Sequence, residues 1–192
     1  MRPRKLTVII LALALCASSA LLAQQGTAPS VAGSHNGGDV LPTSAKDQLT
    51  LLTYSDHKSV VLSAAELKAI PHISVTIHNP HTNAEEVYSG IRLCDLLAKM
   101  GAPLGSELRG RALANYIVAT GSDGYQAVLA LAEVDPSFHP GEVLVADTLN
   151  GKPLDERSGP LKLVITEDRR PARSVRNLTT IELKSLSPNG HE

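Results

Sequence analysis

Residues 143–154 read Val-Leu-Val-Ala-Asp-Thr-Leu-Asn-Gly-Lys-Pro-Leu. Val143 to Leu149 is of strand length and opens on the aliphatic residues Val143 to Ala146, and it meets Asn150-Gly151. An Asn-Gly pair tolerates the positive φ angles that a two-residue hairpin turn demands, so this stretch predicts strand, tight turn and returning chain. A domain built outward from such a unit is strand-rich.

The flanks repeat the pattern. Towards the C-terminus, Leu161 to Thr166 and Leu178 to Leu183 read as strands. Towards the N-terminus, Tyr116 to Thr120 and Ala127 to Leu131 are strands joined by the turn Ser122-Asp123-Gly124-Tyr125, and a helical turn follows near Ala132 to Asp135. Further back, Ile73 to His78 alternates and is β-branched, and Asn79-Pro80-His81-Thr82-Asn83 turns it back into Glu86 to Ser89. Leu49 to Tyr54 and Ser59 to Leu62 are the first strands. Two short helices interrupt them. Ser63-Ala64-Ala65-Glu66 has capping-box spacing, which starts a helix at Ala64 that ends before Pro71. Leu93, Leu96, Leu97 and Met100 share one helical face, closed by Gly101 and Pro103. Many short strands with few short helices predict a mixed, strand-rich α+β domain.

Composition limits what such a domain can do. Aromatic residues make up 3% of the chain, with no Trp, so the core is built from Leu, Val, Ile and Ala and the stacking platforms of single-strand nucleic-acid binders are scarce. The N-terminus carries Arg2, Arg4 and Lys5, then an almost wholly apolar run from Leu6 to Leu15, then small residues with cleavage sites after Ala20 or Ala23. That is the pattern of a signal peptide over 1–23, too short for a membrane span. The expected location is periplasmic or secreted, with membrane attachment only if the signal stays uncleaved. Residues 24–45 are rich in Gly, Ser and Pro and read as a flexible linker; the domain proper covers 46–186, and 187–192 is a tail. Without residues 1–23 the chain has 15 basic and 19 acidic residues, a net −4, which excludes a general nucleic-acid binder. It also retains one cysteine, Cys94, so neither an internal disulfide nor a cysteine-based zinc site can form.

Against this acidic background, Arg169-Arg170-Pro171-Ala172-Arg173-Ser174-Val175-Arg176 holds four arginines in eight residues. Guanidinium groups present a fork of donors that matches phosphate or carboxylate, so the run is a candidate anion site; on charge alone a solvated basic loop is the better reading. His78 and His81, with Glu85 or Glu86 nearby, could bring two imidazoles near one ion. They flank a proline turn with no identifiable third ligand and read as exposed turn histidines, so no metal site is assigned. No catalytic triad or carboxylate pair stands out.

From Tyr88 onward the chain resembles the oxidoreductase molybdopterin-binding domain of the sulfite-oxidase superfamily. Ser89-Gly90-Ile91-Arg92-Leu93-Cys94-Asp95-Leu96-Leu97 is similar to that family's helix entry. Asp123-Gly124-Tyr125-Gln126-Ala127 matches its turn, and Val143 to Leu154 its strand and Asn-Gly turn. Gly159-Pro160-Leu161-Lys162-Leu163-Val164-Ile165 and Ser174-Val175-Arg176-Asn177-Leu178 with Ile181 follow in the same order. The resemblance implies the family's mixed α+β fold and molybdopterin as cofactor. It implies Lys162, Arg173 and Arg176 as contacts to the cofactor's anionic groups, and Asp123, Gly124 and Tyr125 as a loop at the rim.

The chain departs from the family pattern at the metal. Active members hold molybdenum through a cysteine thiolate after a strand that corresponds here to Val75-Thr76-Ile77-His78-Asn79-Pro80-His81, and its position falls at about Asn79. Cys94 belongs to the helix and reads as a small buried residue. The tyrosine common before the Asn-Gly turn is Asp147. Loaded molybdenum enzymes leave the cytoplasm folded through a twin-arginine signal, whereas Arg2-Pro3-Arg4-Lys5 has no adjacent arginine pair. The reading is an exported domain of this fold that binds an anionic small molecule or an exported protein partner, with no redox catalysis of its own. The alternatives are a molybdopterin-dependent oxidoreductase or its cofactor-binding subunit, and a pure protein-interaction module.

Overall fold

The computed structural model describes residues 47–53 and 58–186, which form two five-stranded sheets. The signal peptide, the linker and the tail of the sequence reading lie outside the described residues. Strands β1 (Gln48–Thr53) and β2 (Ser59–Ser63) lead into helix α1 (Ala64–Ala69). Its capping box is formed: the Ser63 hydroxyl accepts the Glu66 N–H, and the Glu66 carboxylate accepts the Ser63 N–H at 2.8 Å. β3 (Ile73–Asn79) and β4 (Ala84–Arg92) make a hairpin, followed by helix α2 (Leu93–Lys99). β5 (Asn115–Gly121), β6 (Gln126–Ala130), β7 (Val143–Leu149), β8 (Lys152–Pro153), β9 (Lys162–Ile165) and β10 (Leu178–Ser185) complete the order.

The first sheet runs β2-β1-β10-β5-β6, with β10 parallel to β1 and antiparallel to β5. The second runs β3-β4-β7, and the far edge of β7 pairs with β9 along Val143–Ala146 and with β8 at Thr148–Leu149. The turn between β7 and β8 is the one predicted: Asn150 and Gly151 both have positive φ, 51° and 74°. Among the described residues no helix is long and apolar enough to cross a membrane.

Two hydrophobic clusters result. The main core joins Leu49, Leu51, Ile117, Leu129 and Ile181 of the first sheet to Ile91, Val145 and Leu163 of the second, together with Leu93, Leu96 and Leu97 of α2 and Met100 at its end. Each fully buried Leu or Ile contributes roughly 1.5–3 kcal/mol relative to exposure. A smaller cluster of Tyr88, Leu144, Ala146 and Val164 occupies the opposite face of the second sheet. That face carries the candidate site.

The structure extends or trims several predicted elements. β4 runs to Arg92, well past the expected end at Ser89, because Gly90 allows β7 to lie against it: a Cβ there would sit 2.2 Å from the Val145 carbonyl oxygen. The helical turn expected at Ala132–Asp135 is a 3₁₀ turn at Leu131–Glu133, and β6 ends one residue early to form it. Pro171–Arg173, inside the arginine run, is another single 3₁₀ turn.

Candidate functional site

β-strand alternation sets the floor of the site. Glu86 and Tyr88 project from one face of β4, and Lys162 and Val164 from the same face of the sheet on β9. With Ile77 and Leu149 they form the base of a cleft of about 500 Å³. Its walls are the β3–β4 turn (Asn79 to Thr82), the segment Asp155–Ser158, and the arginine run with Arg169 and Arg176.

The floor is a hydrogen-bonded chain. Lys162 Nζ lies 4.4 Å from the Tyr88 ring centroid and donates to the Tyr88 hydroxyl at 2.8 Å. That hydroxyl donates to Glu86 Oε2 at 2.7 Å, and Asn79 Nδ2 donates to Glu86 Oε1 at 2.6 Å. Burial raises the Tyr88 phenol well above its usual range, and the Glu86 carboxylate adds to the effect. Burial also lowers Lys162, helped by the Arg176 charge, while Glu86 and Asp155 pull the other way.

The cationic walls are held by backbone bonds. Asn177, with φ 46°, takes the Ser158 carbonyl on its N–H at 2.9 Å and the Arg157 carbonyl on its side-chain amide at 3.2 Å. The segments carrying Arg157 and Arg176 are thereby stitched together. Gly121 fits against this stitch, since a Cβ there would meet the Arg176 carbonyl oxygen at 2.7 Å. Three arginines and a lysine face three carboxylates in the lining, and Asp168 among these is already paired with Arg173. Among the described residues Arg157, Arg169 and Arg176 have no ion pair within 4.0 Å.

Lys162 and Arg176 of the sequence-derived residues therefore line the cleft. Arg173 does not: its guanidinium bonds Asp168 at 2.6 and 3.0 Å and Glu133 at 2.9 Å, and hydrogen bonding to these two carboxylates, Asp168 first, raises its already high pKa. Asp123, Gly124 and Tyr125 also stand outside the lining. Asp123 Oδ1 caps the turn by accepting the Tyr125 N–H at 2.9 Å, and Gly124 supplies φ 83°. The Tyr125 hydroxyl donates to the Ala172 carbonyl, so this turn braces the arginine run from behind. His81 lies at the rim, and His78 pairs with Glu85 at 3.1 Å. Sequence reasoning held Arg169 only as part of the arginine run and Glu86 only as a neighbour of His78 and His81, and it missed Arg157 and Tyr88 as site residues. The basic residues were visible as charges, but only the register of β4, β7 and β9 brings Tyr88 and Lys162 together across 74 positions.

The donor set fits one end of the molybdopterin cofactor implied by the resemblance and not the other. The clustered guanidinium groups suit its phosphate. No thiolate faces the cleft: among the described residues the one cysteine is Cys94, on α2, packed against the main core, its thiol pushed up to about 11 by burial. Asn79, which the resemblance sets near the family's cysteine, is consumed by its own turn, where its Oδ1 accepts the His81 N–H at 2.9 Å and its amide binds Glu86. Asp147 stands outside the cleft and pairs with His72 at 3.2 Å; its Oδ1 is buried with no hydrogen-bond partner among the described residues.

Comparison with known proteins agrees with this architecture. The sulfane dehydrogenase SoxCD from Paracoccus pantotrophus superposes with a TM-score of 0.55 at 16% identity, over 74% of this chain and 40% of that one. The chain thus spans less than half the length of that neighbour. No curated protein matches the sequence. The family model for the oxidoreductase molybdopterin binding domain matches residues 47–191, which take in every described residue, and the chain belongs to that family.

Proposed function

We propose that this chain is an exported binding protein whose basic cleft holds a phosphate-bearing or pterin-like anion, with no redox step of its own. The observation that carries this reading is the meeting of Arg157, Arg169, Arg176 and Lys162 in one cleft that, among the described residues, no thiolate lines. Unpaired guanidinium groups over a low-dielectric floor favour a multiply charged anion, and bidentate bonding makes them selective for phosphate or carboxylate. Export is supported by the basic start and the apolar run Leu6 to Leu15.

The family match supports a second reading, that the chain belongs to an oxidoreductase and holds the pterin without a cysteine link. Molybdenum and pterin analysis of protein purified from its native compartment separates the two. The binding reading expects neither at stoichiometric level, and a melting temperature that rises with inorganic phosphate and fails to rise in Arg176→Ala. Stoichiometric molybdenum would overturn it in favour of the second.

A further inference from the structure

Lys162 has the surroundings of a reactive amine and not only of a positive charge. Its Nζ is half-buried in the cleft floor, against the Tyr88 ring, and its one hydrogen bond goes to a neutral hydroxyl. Among the described residues no carboxylate lies within 4.0 Å of it. Arg176 adds a second positive charge nearby, while Glu86 and Asp155 are the negative groups that face it. Desolvation beside another cation is the arrangement that yields a neutral, nucleophilic lysine. Burial duly lowers its pKa.

We propose that Lys162 forms an imine with an anionic carbonyl compound, a phosphorylated aldehyde or an α-keto acid, bound in this cleft. The idea rests on the anion-binding reading above, for the arginine wall holds the phosphate or carboxylate while the carbonyl reaches the floor. In the step, the Nζ lone pair attacks the carbonyl carbon and a C–N bond forms. The nitrogen gives up its two protons in turn, the first through the Tyr88 hydroxyl to Glu86, and solvent water relays one to the alkoxide, which becomes a hydroxyl, and one to that hydroxyl as it leaves as water, so that C=N remains and Glu86 ends as it began. Amine and carbonyl become imine and water, with no oxidant or reductant. The Lys162–Tyr88–Glu86 chain is already in hydrogen-bond contact for that proton path.

Pyridoxal 5′-phosphate is a suitable probe because it joins an aldehyde to a phosphate. The full chain is incubated with it, reduced with borohydride, digested and mapped by mass spectrometry. The expected result is labelling of Lys162 roughly tenfold above the exposed Lys68, Lys99 and Lys152, as a desolvated amine beside a cation should show. Tyr88→Phe, which keeps the packing and loses the proton path, slows the labelling. Inorganic phosphate and Arg176→Ala both reduce it, and pyridoxal without phosphate labels poorly. Even labelling of all lysines overturns the imine. If phosphate still raises the melting temperature in that case, the anion reading survives alone. Selective labelling of Lys162 that phosphate leaves unchanged, and that pyridoxal matches, keeps the reactive amine and removes the anion wall.

Discussion

Two arginines three positions apart in the same run have different work. Arg173 ties Asp168 and Glu133 together, whereas Arg176 lines the cleft without a carboxylate partner among the described residues. Arg173→Ala leaves two carboxylates unpaired at a half-exposed site, and urea denaturation should show a loss on the order of 1 kcal/mol. Arg176→Ala should leave the denaturation midpoint unchanged and abolish the stabilisation by phosphate. A reversed pattern would mean that the roles are exchanged. Cys94 gives a second residue-scale prediction. Burial first, then the negative charges of Asp95 and Glu142, raise its thiol from 9.0 to about 11. Because the folded value lies above the unfolded one, its contribution to stability is complete below about pH 9 and fades as the pH climbs to about 11. Cys94→Ala should flatten stability across that window. Iodoacetamide at about pH 8 should react roughly tenfold more slowly with native protein than with protein in urea, because the thiolate is the nucleophile.

At the scale of elements, Gly90 decides how close β4 and β7 come. A Cβ at this position would lie 2.2 Å from the Val145 carbonyl oxygen, a contact that only backbone movement relieves. Gly90→Ala should destabilise by about 3 kcal/mol in equilibrium unfolding, and it should weaken phosphate binding as well, because the same strand pair places Tyr88 under Lys162. A neutral substitution would show that the two strands can part without loss. These elements also show what the sequence reveals unaided. The α2 stripe of Leu93, Leu96, Leu97 and Met100, the Ser63 capping box and the Asn150-Gly151 turn rest on contacts between near neighbours, and each is where local chemistry puts it. The cleft floor rests on pairing between β4, β7 and β9, which no local pattern encodes. Lys162 and Arg176 were legible through a family resemblance. Their neighbours Tyr88, Glu86 and Arg157 were not, because nothing in the spacing from 86 to 162 states that these residues meet. Arg173 and Tyr125 carry the same side-chain chemistry as binding residues, and only three-dimensional placement shows them bracing the arginine run.

Considered whole, the molecule joins its two sheets through a single main core, while the smaller cluster on the outer face of the second sheet supports the cleft. Leu163 and Val164, adjacent on β9, face these two environments in turn. Leu163→Ala, at a fully buried position, should lower global stability by about 3 kcal/mol in urea denaturation. Val164→Ala should act more on phosphate affinity than on global unfolding, because the cleft floor loses its packing first. Equal effects on both measurements would mean that the two faces are not separable. The position of β10 has a further consequence, for the timing of synthesis. This strand lies between β1 and β5 in the first sheet, yet it comes last in the described order. Until Ser185 has cleared the ribosome, β1 has no β10 to pair with on its inner edge and the sheet has no centre. The first sheet therefore cannot close around its centre until β10 has been made, however early β1, β2, β5 and β6 are available.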